Sequence, residues 1–221
     1  ATGDIGVLMA AVRGLNTTDA RKAALLRHIW RPARFRALMK RFGSGKISPS
    51  RAALLASEDP FAAAGPDIGL RSKQEVAARI EALRMDADAP AIARDEIGLI
   101  DAILNLRETA TNVLSALRDI AVDMPAIGDA VTRLDARLTA LDARGVDIAA
   151  LEFEGSYGRT SLEYYDGFVF GFYAIDRADL PAVASGGRYD ALTRVLGQGR
   201  AVPAVGAVIR PDLVVQLRGQ A

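Results

Sequence analysis

Cysteine is absent from this 221-residue chain, and histidine and tryptophan occur once each. Without thiols there are no disulfides, no thiolate metal sites, no iron–sulfur clusters and no cysteine nucleophile. That fits a reducing cytoplasm, the expected location. His28, the single histidine, falls in a helical stretch with no second histidine for a metal pair and no nearby serine suited to a triad. It reads as an ordinary helix residue. No calcium-loop or paired-carboxylate motif stands out, so neither a metal nor a cofactor is expected. No apolar run reaches the roughly 20 residues that span a bilayer. The first residues, ATGDIGVLMA, lack the basic-then-apolar order of a secretory signal. Excess charge of either sign is missing too. With 28 basic and 27 acidic residues the net charge is +1, which argues against a nucleic-acid or membrane surface.

What is present divides into two textures. Up to about Arg144 the apolar residues keep helical spacing. Asp4 to Gly14 is a short apolar stretch ended by glycine. Thr18 and Asp19 are good caps for a helix through Trp30. Pro32 sits in the first turn of a helix from Arg31 to Phe42, and Ser48-Pro49 opens a shorter one to Ala56. The segment EDPFAAAGPDIGL reads as loop. Ser72 and Glu75 match a capping box ahead of Val76, Ile80 and Leu83. The spacing predicts one long helix over 92–120 and another over 127–144, antiparallel neighbours separated by Pro125.

After Gly145 aromatics take over. Four of the five tyrosines and four of the seven phenylalanines lie between Phe153 and Tyr173. IAALEFEGS and LEYYDGFVFGFYAI read as strands. AVASGGRYDALTRVLG reads as strand, glycine turn and helix. VPAVGAVI reads as a fully buried strand, and RPDLVVQLRG as a closing helix. The expected fold class is α+β: a helical region over 1–145 and a mostly antiparallel sheet over 146–221.

Candidate chemistry gathers in the second part. Gly186 and Gly187 let a ligand approach the backbone, and Arg188 beside them can fork onto an anion. Equally, the pair forms a tight turn whose arginine meets Asp190. In Glu163-Tyr164-Tyr165 a strand would send the tyrosines to opposite faces, one toward a pocket. Arg159 lies just upstream in GSYGRTS. The stretch PAVGAVIRPDL suggests a phosphate cradle at a helix start, with proline in the first turn and Arg210 before it.

Taken in order, SLEYYDGFVF, SGGRYDALTRVLG and VPAVGAVIRPDL resemble the last part of the histidyl-tRNA synthetase catalytic domain, over about residues 151–217. The resemblance implies a class II aminoacyl-tRNA synthetase-like, mostly antiparallel sheet with a helical insertion region. It also implies a histidine-binding set of Tyr165, Tyr189, Gly186 and Gly187, with Glu163 or Arg159 supplying polar contacts. The departures are specific. The synthetase arginine that holds the ATP phosphates falls on Leu213. The arginine before L-D-Y-Y falls on Thr160, one residue from Arg159. Together with GDIGVLMAAVRGL and LLRHIWRPARFRALMKRFG in the helical part, these departures make the chain resemble the family of ATP phosphoribosyltransferase regulatory subunits. That family has class II motifs 1 and 2 upstream, which are not seen here, so a shortened form of the domain is expected. The implied role is non-catalytic: a hetero-oligomer with the short-form catalytic subunit, self-association, and histidine as feedback effector. Active amino-acid activation of the synthetase type, or a scaffolding paralogue, are the alternatives.

Overall fold

The computed structural model describes residues 1–62, 64–66, 68–159, 163–200 and 202–219. Among these are six strands in one sheet: β1 (Thr2–Asp4), β2 (Arg107–Thr109), β3 (Glu152–Glu154), β4 (Phe168–Phe172), β5 (Ala184–Arg188) and β6 (Val205–Ile209). Their order is β2-β3-β1-β4-β5-β6. Only β1 and β3 pair in parallel; the other four pairings are antiparallel.

Ten α-helices among the described residues accompany the sheet: α1 (Ile5–Gly14), α2 (Asp19–Arg27), α3 (Pro32–Ser44), α4 (Pro49–Ala56), α5 (Lys73–Asp88), α6 (Arg94–Asn105), α7 (Ala110–Asp123), α8 (Gly128–Asp142), α9 (Asp190–Leu196) and α10 (Pro211–Arg218). The caps expected from sequence are made. Thr18 accepts from the Arg21 amide, Ser48 from the Arg51 amide, and Ser72 and Glu75 form the reciprocal capping box.

The first helix organises the core. Asp4 caps it by accepting from the Gly6 amide at 2.9 Å. Ile5, Val7, Leu8, Ala11 and Val12 along it are all buried. They join Phe35 of α3, Ile100 of α6, Leu117 of α7, Leu134 of α8 and Phe153 of β3 in one continuous cluster. Gly14 lets the helix approach the 3-10 turn at Pro125–Ile127 so closely that an added Cβ would collide with that of Ala126. The helical part and the strands after Gly145 therefore share buried surface.

Four expectations are corrected. The single helix over 92–120 is two helices, α6 and α7, interrupted by β2. Residues 107–109 leave the helix because they pair with β3, and Arg107 donates to Glu154 at 2.8 Å across that pairing; tertiary pairing overrides helical spacing. Gly186 and Gly187 lie inside β5, not in a turn. Tyr164 and Tyr165 precede β4 and are not in a strand, so they do not alternate. Finally, β6 is the edge strand and is exposed rather than buried, with Val205 at 74% and Ile209 at 64% of full exposure. A run of apolar residues indicates burial only where a second layer covers it, and the described elements do not cover this one.

Candidate functional site: tyrosines over a glycine floor

Strand register decides which residues share a face. Gly3 opposes Val169, which opposes Gly187, which opposes Gly206. One step along, Gly171 opposes Ser185, which opposes Val208. Opposed residues point the same way, so β1, β4, β5 and β6 each place a glycine on one face. Tyrosines occupy the space these glycines leave. An added Cβ would stand 2.8 Å from the Tyr157 Cβ at Gly3, 2.7 Å from the Tyr165 ring at Gly187, and 2.7 Å from the Tyr189 hydroxyl at Gly206; at Gly171 it would collide with the Tyr157 hydroxyl. Gly186 serves the other face. Its absent side chain leaves room for Phe170, whose ring would lie 2.7 Å from a Cβ there.

The tyrosines hold one another. Tyr164 and Tyr165 have ring centroids 4.9 Å apart, Tyr164 meets Tyr189 edge-on at 5.5 Å, and Tyr165 and Tyr189 are 6.4 Å apart. Tyr157 and Tyr173 share a hydrogen bond at 3.1 Å. Trp30 of the helical part donates to the Tyr165 carbonyl at 3.3 Å, fixing the loop that carries it. Burial, with Tyr164 and Tyr189 alongside, pushes the Tyr165 hydroxyl up to about 12. It is therefore a neutral donor and acceptor at any physiological pH.

Two adjoining concavities open above this floor. The larger, about 390 Å³, is bordered by Tyr157, Tyr165, Tyr173, Ser185, the Gly186 main chain and Arg210. The smaller, about 160 Å³, lies between Tyr164, Tyr165, Tyr189 and Gly206. Their described borders carry hydroxyls, glycine backbone and one guanidinium, and no carboxylate, imidazole or amine. Tyrosine faces and hydroxyls beside glycine backbone suit a flat, partly polar ligand. Arg210 donates to the Ala182 carbonyl at 2.6 Å, which anchors it at the rim.

The structure brings together four of the six residues singled out from sequence: Tyr165, Tyr189, Gly186 and Gly187. It places the other two elsewhere. Glu163 accepts from Arg31 at 3.1 and 3.2 Å at the surface. Arg159, at 2% exposure, donates to the Ile29 carbonyl at 2.7 Å and lies 5.0 Å over the Phe35 ring. Burial, with Arg36 nearby, lowers its pKa to about 10. Thr160, the aligned arginine position, lies outside the described residues. Arg188 makes the local pair with Asp190, at 2.7 and 2.8 Å. Leu213 is buried at 8% exposure in the first turn of α10. His28 ends α2, its pKa lowered by burial and by Arg34, Arg31 and Arg27. Among the described residues no group of three metal-ligating side chains exists, and no helix is long and apolar enough to cross a membrane. Sequence reading missed Gly3, Tyr157, Gly171 and Gly206. Scattered over two hundred residues, they become one surface only through strand register.

Comparison with known proteins agrees with this architecture. The histidyl-tRNA synthetase family model matches residues 68–214. The ATP phosphoribosyltransferase regulatory subunit of Sinorhizobium medicae is 33% identical over 155 residues, 70% of this chain and 38% of the relative. That of Rhizobium meliloti is 34% identical over 152 residues, 68% of this chain and 37% of the relative. The chain thus spans well under half the length of these curated relatives. In fold it is similar to histidyl-tRNA synthetase from Nostoc, with a TM-score of 0.57 at 18% identity over 99% of this chain and 41% of that one. It is also similar to an ATP phosphoribosyltransferase regulatory subunit/histidyl-tRNA synthetase from Bacillus halodurans, with a TM-score of 0.54 at 17% identity over 97% and 42%. With the family match covering most of its length, the chain belongs to the histidyl-tRNA synthetase family.

Proposed function

We propose that this chain is part of a non-catalytic regulatory subunit of ATP phosphoribosyltransferase, acting in the first step of histidine biosynthesis and conveying feedback inhibition by histidine. One observation carries this reading most directly. A slot built of tyrosine faces and glycine backbone is kept, while its described border carries no carboxylate, imidazole or amine. Leu213, in place of the phosphate-holding arginine, supports the same conclusion, since a packed leucine presents no charge to a nucleotide.

In this reading Tyr165 and Tyr189 flank the imidazole of histidine, stacking on it with hydroxyls at the edge. The Gly187 and Gly206 backbone lets those two tyrosines lie against the sheet, and Gly186 borders the slot through its main chain. Glu163 and Arg159 would have to leave Arg31 and Ile29 to reach it, so the amino and carboxyl groups of histidine find their partners elsewhere in the protein. The partner is the short-form catalytic subunit, in the cytoplasm. The helical region over 1–145 and the sheet region over 146–221 form the two parts of the regulatory chain. Self-association is supported by exposed Phe172, Val205 and Ile209. Feedback requires that histidine bind one state of the assembly better than the other.

The test is calorimetry of histidine with the regulatory and catalytic subunits together. Tyr165→Ala and Tyr189→Ala should each weaken binding at least tenfold. Unchanged affinity in both would refute the pocket. A synthetase-like amino-acid activation is favoured by one feature, Arg210 at the rim of the larger concavity. Histidine-dependent exchange of pyrophosphate into ATP separates the two readings, and only background exchange is expected.

A further inference from the structure

A second concavity, of about 370 Å³, lies where α1, α8, the end of β5 and the start of α9 meet. Five guanidiniums converge on it from four elements: Arg13 of α1, Arg133 and Arg137 of α8, Arg188 of β5 and Arg194 of α9.

The carboxylates that border the same cleft are already committed. Asp4 caps α1 through one oxygen and pairs with Arg137 at 2.8 Å through the other. Asp166 accepts the backbone amides of Asp190 and Ala191 at 3.1 and 2.6 Å. Asp190 accepts from the Ala204 amide and from Arg188, both at 2.8 Å. Arg137 and Arg188 are therefore neutralised and held in place, Arg137 also lying 4.5 Å over the Phe168 ring. Arg13, Arg133 and Arg194 are exposed and make no ion pair or hydrogen bond among the described residues. Arg133 and Arg137 stand one turn apart on α8, and Asp4, which Arg137 holds by its ion pair, is the carboxylate whose field reaches both.

A single surface arginine is usually just solvated. Three unpaired ones aimed into one concavity, with every neighbouring acid already occupied, are a different arrangement. Guanidinium forks match phosphate oxygens two at a time, and several forks suit a multiply charged group better than one carboxylate. We propose that this cleft binds a phosphate-bearing small ligand of the di- or polyphosphate class, through Arg13, Arg133 and Arg194, with Arg137 and Arg188 as fixed walls. The site is separate from the tyrosine floor and does not depend on what binds there.

Inorganic pyrophosphate is the probe, titrated calorimetrically into the purified protein at constant ionic strength. A single saturable site is expected. Arg133→Gln with Arg194→Gln should weaken it at least tenfold, and Arg194→Gln alone at least threefold, so that the idea stays testable if the double variant folds poorly. Arg84→Gln, at a pair with Glu81 on α5, an element that does not border the cleft, should change nothing, and citrate should bind at least tenfold more weakly than pyrophosphate. Histidine affinity should be the same in all of these variants. No saturable binding, equal binding by the arginine variants, or citrate binding as tight as pyrophosphate would each overturn the assignment.

Discussion

At Gly187 and Gly206 a single missing side chain decides whether a tyrosine can lie against the sheet. An added methyl at either position meets Tyr165 or Tyr189 at 2.7 Å, closer than packed atoms can sit. Gly187→Ala and Gly206→Ala should therefore cost about 1–3 kcal/mol in denaturant unfolding and displace the slot as well. Gly98, in the exposed interior of α6 with nothing within 4 Å of an added Cβ, is the contrast: Gly98→Ala should stabilise by about 0.5–1 kcal/mol. The same scale governs Leu213. Leu213→Arg places a charge in a buried position with no carboxylate prepared for it. We expect a lower unfolding midpoint and no gain in pyrophosphate exchange, because an isolated buried charge destabilises before it can function. Gly186-Gly187 and the tyrosines were legible as a candidate site from sequence alone. The partner glycines were not, because nothing local links Gly3 to Gly206.

Among the elements, those with local signals were legible: α2, α4 and α5 through their capping side chains, α3 through Pro32. What escaped was set by pairing. Residues 107–109 carry no breaker, and only the strand beside them makes them β2. The apolar run of β6 was read as buried because its residue types match a core strand; whether a layer covers it is not written in those five residues. The junction of β5 and α9 shows how one side chain ties elements together. Asp190 binds Arg188 behind it and the Ala204 amide before β6. Burial alone would raise its pKa, but the Ala204 amide and Arg188 outweigh it, and the carboxyl sits below its ordinary 3.8. A carboxylate with a lowered folded-state pKa stabilises above its ordinary value and loses that contribution as pH falls through the folded one. Asp190→Asn should cost about 1–3 kcal/mol at neutral pH, and the gap to wild type should close in urea titrations taken below about pH 4.

For the whole molecule, the fold class and the family resemblance were both readable from three short blocks near the end of the chain. The distribution of charge was not. A net charge of +1 conceals a stretch between Asp19 and Glu58 with no acidic residue, in which Arg27, Arg34, Arg36 and Lys40 all lie on α2 and α3. The overall balance that argued against an electropositive surface averages this region against acidic segments elsewhere. Likewise, the arginine cleft exists only because four elements meet. The proposed regulatory role is read in the turnover of the short-form phosphoribosyltransferase subunit on ATP and phosphoribosyl pyrophosphate. It should be measured with and without this protein while histidine is titrated. Faster turnover is expected when the protein is added, with histidine inhibition that depends on it and is lost with Tyr165→Ala. A catalytic subunit whose rate and histidine response are the same with and without the protein would contradict that role.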